Sequence, residues 1–345
     1  MGNRTTVYNK IVTQEILDNI LDDNKILTDD FIEYLQSIDR SPETIKQYKN
    51  DLNIFWCWNY TNNKNKQFIK ISKREFAKFQ NHCLNEWGWS SNRVRRVKSV
   101  ISSLSNFIEN ILDEEEEFAG YRSVIKKIES PAKEEVREKS IFEPQELQAL
   151  LDILVKNKKY NQACMLALAM YSGRRKAELP RFKVSYFDDE NVFLGSLYKT
   201  PEKVKTKGRG SRGKMLNLYV LKKEFDPYLN LWLNERKTLG IDDSEWLFPA
   251  NGDSASPMKV DTLDSWANTF TKILGKEFYW HSMRHFFCTQ CLKKNLPSSV
   301  VQEIVGWESA DMVNLYNDTT TEETLAKYFD ENGIKDVKQE KLSNL

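Results

Sequence analysis

A turn and a dense cluster of charge meet in one stretch of the chain: Ser172-Gly173-Arg174-Arg175-Lys176-Ala177-Glu178-Leu179. The stretch closes one apolar helical run and predicts the start of another helix. Gly173 permits the turn because glycine adopts backbone conformations that other residues avoid. A helix that starts after it would favour an anion at its N-terminus. Taken alone, the stretch also fits a basic surface loop with an Arg–Glu ion pair.

A second motif contains two of the three histidines: His281-Ser282-Met283-Arg284-His285. On a helix, His281 and Arg284 share a face because residues three apart are neighbours. An imidazole beside a guanidinium suits an anionic phosphate whose charge grows during a reaction. Without further context, such a pair is more often an ordinary surface feature.

A third motif lies near the end of the chain: Gly306-Trp307-Glu308, with Tyr316 nine residues after the tryptophan. Considered singly, one tyrosine among 14 is more often a packing or surface residue than a nucleophile. The order and spacing of the three motifs together are much more specific than any one of them.

In that order, the motifs resemble the tyrosine recombinase (phage integrase) family, whose catalytic residues run Arg, Lys, His-x-x-Arg, His or Trp, and Tyr. The family's Gly-x-Arg-x-x-Glu-Leu matches residues 173–179 and places the first catalytic arginine at Arg175, not at Arg174. Its His-x-x-Arg matches His281 and Arg284.

The remaining positions follow from the same resemblance. The family's hairpin lysine is matched by Lys207, with Lys205 as the alternative. His285 matches the histidine that often follows the His-x-x-Arg, Trp307 is the Cre-like variant of the second conserved histidine, and Tyr316 falls at the nucleophile position.

The resemblance implies strand cleavage by a covalent route. Tyr316 would attack the scissile phosphate and form a 3′-phosphotyrosyl link, which conserves the bond energy without ATP. Arg175 and Arg284 would brace the non-bridging oxygens, and Lys207 would protonate the departing 5′-oxygen.

Three further residues would support this chemistry. His281 would act either as general base or as a hydrogen-bonding group toward the tyrosine, two roles that the sequence does not separate. Trp307 would supply an indole N–H, and Glu178 would orient the arginine or the histidine. No metal and no other cofactor is expected, because guanidinium groups would take the charge.

The resemblance covers the chain from about residue 28 and implies two domains, as does a length of 345 residues. The expected fold class is mainly α with a small antiparallel β-sheet: a helical, SAM-like core-binding domain and an α+β catalytic domain. The expected boundaries are an N-terminal extension (1–27), the core-binding domain (28–125), a linker (126–141), the catalytic domain (142–330) and a C-terminal tail (331–345).

Local signals predict where elements begin. Thr28 is a candidate N-cap for a helix over residues 30–35. Ser41-Pro42 and the capping-box pattern Ser72-Lys73-Arg74-Glu75 predict two more helix starts, and Ser91 a fourth. Residues 192–194 and 215–220 predict the two strands of an antiparallel hairpin with a basic tip.

The net charge of +1 hides two basic blocks. Residues 73–98 hold seven basic and two acidic side chains, and residues 199–214 hold seven and one. A charge run is often only a solvated face, but two such blocks favour a clamp around DNA in which phosphates supply the affinity. The candidate DNA-binding residues are Arg93, Arg95, Arg96, Lys98, Lys203, Lys205, Arg209 and Arg212.

Composition limits the cellular setting. Five cysteines in a chain without a secretory signal predict a reduced compartment and no disulfide framework. Cys288 and Cys291 lack a matching second ligand pair, so packing is expected rather than zinc binding. We expect a cytoplasmic, nucleoid-associated protein of bacterial or phage context with no membrane partner.

The expected function is site-specific DNA recombination in a tetramer on double-stranded DNA, with integration or excision of a phage or mobile element. The target sequence and the need for a directionality or accessory factor stay open. The alternatives are a type IB topoisomerase, a telomere resolvase, or a catalytically silent DNA-binding regulator on the same fold. The acidic tail, residues 318–345, carries an apolar stripe, residues 325, 328 and 329, for docking on a neighbouring protomer or on its own domain.

Overall fold

The protein is described by a computed structural model, which covers residues 8, 10–133, 141–206, 213–307, 309 and 312–313, and the backbone of 329–330 and 333–334. Its contacts divide it into two compact units, one within residues 1–138 and one built on residues 139–207 and 214–345. We call them the N-terminal unit and the C-terminal unit. No helix in the described ranges is long and apolar enough to cross a membrane.

The described part of the N-terminal unit is helical. Its α-helices are α1 (Gln14–Asp18), α2 (Asp22–Ser37), α3 (Pro42–Asn62), α4 (Lys73–Asn85) and α5 (Ser91–Ile111), with short 3₁₀ turns at Phe68–Lys70 and Ile125–Lys127.

Three of the four predicted helix starts in this unit are confirmed. The Ser41 hydroxyl accepts a hydrogen bond from the Thr44 N–H, with Pro42 in the first turn. Ser72 and Glu75 form the reciprocal capping box of α4. Helix α5 begins at Ser91, after an N-cap at Ser90.

The predicted start after Thr28 is wrong, because α2 begins at Asp22 and Thr28 lies inside it. The Thr28 hydroxyl donates to the Asn24 carbonyl (2.7 Å) and accepts from the Trp56 indole N–H (2.9 Å). A threonine can bond back to the carbonyl four residues earlier, which satisfies its hydroxyl within a helix. The capping preference of threonine was therefore misleading here.

Helix α3 is the centre of the N-terminal unit. Residues 54–58 are all buried, so the helix is covered on every side there. One side carries Phe55 and Trp56 into an aromatic cluster with Phe68. The opposite side, with Ile54 and Cys57, packs against Val12. Residues before position 28 are therefore part of this unit's core.

The C-terminal unit combines helices with small antiparallel sheets. Its described α-helices are α6 (Pro144–Lys156), α7 (Tyr160–Ser172), α8 (Lys222–Leu239), α9 (Thr262–Leu274), α10 (Trp280–Lys293) and α11 (Ser298–Val305). Its described strands are β1 (Val192–Phe193), β2 (Leu197–Lys199), β3 (Val204–Thr206), β4 (Lys214–Leu216), β5 (Tyr219–Leu221), β6 (Pro249–Ala250), β7 (Asp253–Pro257), β8 (Phe329–Asp330) and β9 (Gly333–Ile334). The expectation of a mainly α fold with small antiparallel sheets is confirmed.

The predicted hairpin has different partners from those expected. Strand β3 pairs with β4, with Lys205 opposite Met215, so the basic segment does connect two antiparallel strands. Strand β1 instead turns at Leu194-Gly195 and pairs with β2, which pairs with β5. Both turn residues have positive φ, as a type I′ turn requires, and the Ser196 N–H donates to the Phe193 carbonyl across the turn (3.3 Å).

Candidate active site

Helix α7 ends in the turn that organises the site. Gly173 caps the helix with φ 62°, and its carbonyl accepts a hydrogen bond from the Arg284 guanidinium (2.9 Å). A Cβ added at Gly173 would lie 2.6 Å from Cδ1 of Phe287 on α10. Only glycine therefore lets α7 and α10 approach this closely.

We expect Gly173→Ala to lower the free energy of unfolding of the C-terminal unit by about 2–4 kcal/mol, from left-handed strain and the contact with Phe287. Urea unfolding measures the loss. Gly240→Ala is the matched control, because Gly240 has φ 66° and no atom within 4 Å of an added Cβ. Equal losses in the two variants would contradict a role for the Phe287 contact.

The turn after Gly173 holds Arg175 against Glu178. The guanidinium lies 3.2 Å from Glu178 Oε1, and Oε2 accepts the Arg175 backbone N–H (3.1 Å). Glu178 is buried, whereas the Arg175 side chain is 27% exposed. The carboxylate thus fixes the arginine from inside and leaves part of the guanidinium accessible.

No α-helix begins in this turn, contrary to the sequence expectation. The described chain forms only a 3₁₀ turn at Leu179–Arg181. Pro180 lacks an N–H and disfavours the α conformation of the residue before it. An anion in this turn would be bound by side chains rather than by a helix N-terminus.

Arg284 joins three segments from the interior. It is fully buried on α10, and its guanidinium donates to the carbonyls of Gly173 (2.9 Å) and Val305 (3.4 Å). Its Cζ lies 4.7 Å from the ring centroid of Trp307, a cation–π distance. Arg284 therefore ties the ends of α7 and α11 to α10.

Arg174, which the family motif does not include, is a second buried arginine. It is 1% exposed and donates to the carbonyls of Ser172 (3.1 Å) and Ile304. The residue side by side with Arg175 is thus a structural link between α7 and α11. No sequence signal distinguishes this role, because the motif accepts any residue there.

The guanidinium groups repel one another. Burial, and then the charges of Arg175 and Arg174, lower the pKa of Arg284 below its ordinary value. A cluster of positive charge with one buried carboxylate, Glu178, is stabilised by an added anion. The arrangement is suited to a phosphate.

The two histidines of the motif lie on α10 beside Arg284. His281 and His285 are partly exposed, with ring centroids 5.7 Å apart and planes at 81°. The shared face of His281 and Arg284 follows from their spacing on this helix.

Trp307 follows the glycine that ends α11. It is 6% exposed and stacks on Arg284. Gly306 has φ 77°, and a Cβ there would collide with Leu216 of strand β4. The close approach brings the end of α11 against the β3–β4 hairpin.

The hairpin presents one of the two candidate lysines. Lys205 lies exposed in the middle of β3, between buried Val204 and Thr206, and Lys203 is also exposed. The Arg181 guanidinium donates to the Lys205 carbonyl (2.8 Å), which joins the Arg175 turn to this strand. Lys207, Arg209, Arg212 and Tyr316 lie outside the described residues.

The other predicted DNA-binding residues lie on α5 of the N-terminal unit. The helix buries an apolar stripe of Val94, Val97, Ile101, Leu104 and Phe107, whereas Ile111 at its end is 49% exposed. Arg93 and Arg96 contact Asp51, whereas Arg95 and Lys98 bond to the segment 128–131.

Comparison with known families gives two matches. The model of the phage integrase family matches residues 140–323, more than half of the chain. The model of the phage integrase N-terminal SAM-like domain matches residues 27–117.

Individual relatives and solved structures point the same way. An SPbeta prophage-derived recombinase-like protein, YomM of Bacillus subtilis, is 29% identical over 81% of both chains. Tyrosine recombinase XerA of Pyrococcus horikoshii is 23% identical over 86% of this chain and 90% of its own length. The structure of XerH bound to palindromic difH has a TM-score of 0.62 at 17% identity (82% of this chain, 78% of that one), and a lambda integrase dimer on a core site has 0.61 at 16% (85% and 95%).

Proposed function

This chain belongs to the phage integrase family of tyrosine recombinases, and on that premise we propose that it exchanges DNA strands between two specific sites through a 3′-phosphotyrosyl intermediate. Its activity is that of a site-specific recombinase, which cleaves and rejoins DNA strands. The observation that carries the mechanism is the convergence of Arg175 and Arg284 on the Gly173 turn.

In the proposed cleavage step, the Tyr316 hydroxyl attacks the scissile phosphorus while the bond to the 5′-oxygen breaks. The tyrosine proton passes toward His281, and the leaving oxygen takes a proton from a hairpin lysine. Arg175 and Arg284 stabilise the charge that accumulates on the non-bridging oxygens. The rejoining step is the reverse, with a 5′-hydroxyl of the partner strand as nucleophile.

In this proposal, Glu178 and Trp307 hold the two arginines in place. Glu178 holds Arg175 in one orientation through two contacts, and Trp307 covers the Arg284 guanidinium. His285 lies one turn along α10 from His281 and supports its ring. A preorganised guanidinium pair does not have to reorient when the transition state forms.

The general acid is Lys207 or Lys205, and leaving-group chemistry separates them. Alanine at the acid should slow cleavage of ordinary DNA by about 10²–10⁴-fold, because the 5′-oxygen then leaves unprotonated. The same variant should cleave a 5′-bridging phosphorothiolate at nearly the wild-type rate, since a thiolate needs no proton to leave.

Lys203→Ala is the matched control, because Lys203 is exposed on the same segment and is a candidate DNA contact rather than a candidate acid. At saturating protein, where a lost phosphate contact no longer limits the rate, it should cleave both substrates like the wild type. If neither the Lys205 nor the Lys207 variant is rescued by the phosphorothiolate, the acid is not a hairpin lysine.

We place the recombinase in a phage or other mobile element, in the cytoplasm on the nucleoid. The similarity to a prophage-derived recombinase-like protein supports this. Strand exchange between two marked duplexes tests the reaction class. Relaxation of supercoils without exchange would indicate the topoisomerase alternative, and closed hairpin ends the telomere-resolvase alternative.

We also infer that four protomers act together on two sites. A lambda integrase tetramer on a Holliday junction shares this fold, with a TM-score of 0.61 at 16% identity (85% of this chain, 77% of that one). The acidic tail would join the protomers through Leu325, Tyr328 and Phe329, whose side chains lie outside the described residues.

Deleting residues 321–345 should spare binding to a single site and weaken cooperative assembly of two sites. Native gel shifts on one-site and two-site DNA measure both. Unchanged cooperativity would exclude the docking role of the tail.

A further inference from the structure

A buried carboxylate lies beneath the basic face of α5. Asp51, on α3, is 1% exposed. Its Oδ1 lies 2.7 Å from Arg93 Nη2, and its Oδ2 lies 3.1 Å from Arg96 Nε. The two arginine side chains remain 30% and 42% exposed.

Burying the Asp51 carboxylate costs free energy of folding. A carboxylate withdrawn from water loses its hydration, and the loss is offset only by close partners. Each guanidinium has five N–H donors, and the contacts with Asp51 engage only some of them. Both groups therefore keep donors that can reach a ligand at the surface.

Arg93 is held from a second direction. Its Cζ lies 4.9 Å from the ring centroid of Trp89, so the guanidinium is fixed between an indole and a carboxylate. Arg93 and Arg96 are three apart on α5 and share one face. Two guanidinium groups that are already oriented on one helix face lose less side-chain entropy on binding phosphates than two mobile ones.

The neighbouring bases on α5 are held by neutral groups. Arg95 donates to the Pro131 carbonyl (2.7 Å), and Lys98 donates to the Ser130 hydroxyl (3.0 Å) and the Ile128 carbonyl. Burial lowers the pKa of Lys98. Asp51 is thus specific to the Arg93–Arg96 pair.

We propose that Asp51 is a positioning residue for DNA recognition, which holds Arg93 and Arg96 in the orientation that binds backbone phosphates of the specific site. The inference rests on the proposed function, in which α5 contacts DNA. Ordering the two side chains before binding removes an entropy cost from the complex and improves affinity by about tenfold.

Simple electrostatics predicts the opposite change in DNA affinity when Asp51 is neutralised. Asp51→Asn removes a negative charge from a DNA-binding surface, which strengthens binding to any DNA through phosphate attraction. If positioning dominates, the same variant binds the specific site more weakly. Asp113→Asn is the matched control, because it makes the same charge change in the same unit at an exposed position.

The experiment uses the full-length protein and two duplexes of equal length: one that the wild type selects from a random-sequence library, and its scrambled sequence. Dissociation constants are measured on both over a range of salt concentrations. We expect Asp51→Asn to weaken binding to the selected duplex about tenfold, because in the specific complex the register on the DNA is fixed and each arginine has to meet a particular phosphate. The scrambled duplex should be bound as in Asp113→Asn, because contacts made without a fixed register do not need oriented side chains. In the Arg93→Ala/Arg96→Ala background, Asp51→Asn should have no further effect.

If Asp51→Asn binds the selected duplex as tightly as the wild type or more tightly, while the double alanine variant binds it more weakly, the role of Asp51 is overturned. That result would leave the role of the two arginines in place. If the double alanine variant binds like the wild type, the α5 surface of the proposed function has failed instead. If Asp51→Asn does not fold, Arg93→Lys/Arg96→Lys provides the test, because it keeps both positive charges at these partly exposed positions. It should weaken binding to the selected duplex only. An unchanged dissociation constant for that duplex would contradict the positioning role.

Discussion

Tyr316→Phe is expected to bind DNA like the wild type and to form no covalent protein–DNA adduct. The substitution removes only the phenolic oxygen, which in the proposed mechanism makes the bond to phosphorus. On a suicide substrate, whose nicked strand loses its short 5′-hydroxyl fragment, the wild type accumulates an adduct that a denaturing gel resolves. The variant should show none above background.

Tyr328→Phe is the control for this experiment. It removes a hydroxyl from the same part of the chain and should leave adduct formation intact. Normal cleavage by Tyr316→Phe would show that the nucleophile is a different residue, with Tyr328 the first to test.

Arg175→Lys is expected to lower the rate of adduct formation by about 10²–10³-fold, the usual cost of one lost transition-state donor. Lysine keeps a positive charge beside buried Glu178, so the fold should persist, but it cannot offer the planar fork that braces two phosphate oxygens. Single-turnover cleavage at saturating protein measures the effect. A rate close to that of the wild type would show that Arg175 does not contact the phosphate.

Arg284→Met separates activity from stability. It should lose cleavage and also stability, because the carbonyls of Gly173 and Val305 would each lose a buried donor, at about 1–3 kcal/mol per group. Melting curves of the two variants should therefore differ, with Arg175→Lys near the wild type. A similar loss of stability in both would contradict the different anchoring of the two arginines.

Local signals predicted much of the framework. Caps at Ser41, Ser72 and Ser90/Ser91 depend on neighbours within one turn, so the sequence contains all of their determinants. The spacing of His281 and Arg284 likewise places both on α10. Pro180 disfavours a helix directly after Arg175, but it lies just outside residues 172–179, whose pattern predicts one.

Partners distant in sequence could not be predicted in the same way. The carbonyl of Ile304 accepts from Arg174, and Asp51 meets Arg93, only because separate helices pack together. Strand β1 pairs with β2 rather than with the run 215–220, and the partner of β4 is β3. These contacts are set by tertiary packing, which the spacing of residues along the chain does not contain.

The central claim is that Tyr316 becomes covalently bonded to DNA. Wild-type adduct trapped on the suicide substrate can be digested with protease, and the peptide that carries the nucleotide identified by mass spectrometry. We predict a 3′-phosphotyrosyl bond at Tyr316. A nucleotide on any other residue, or strand exchange without an adduct, would contradict it.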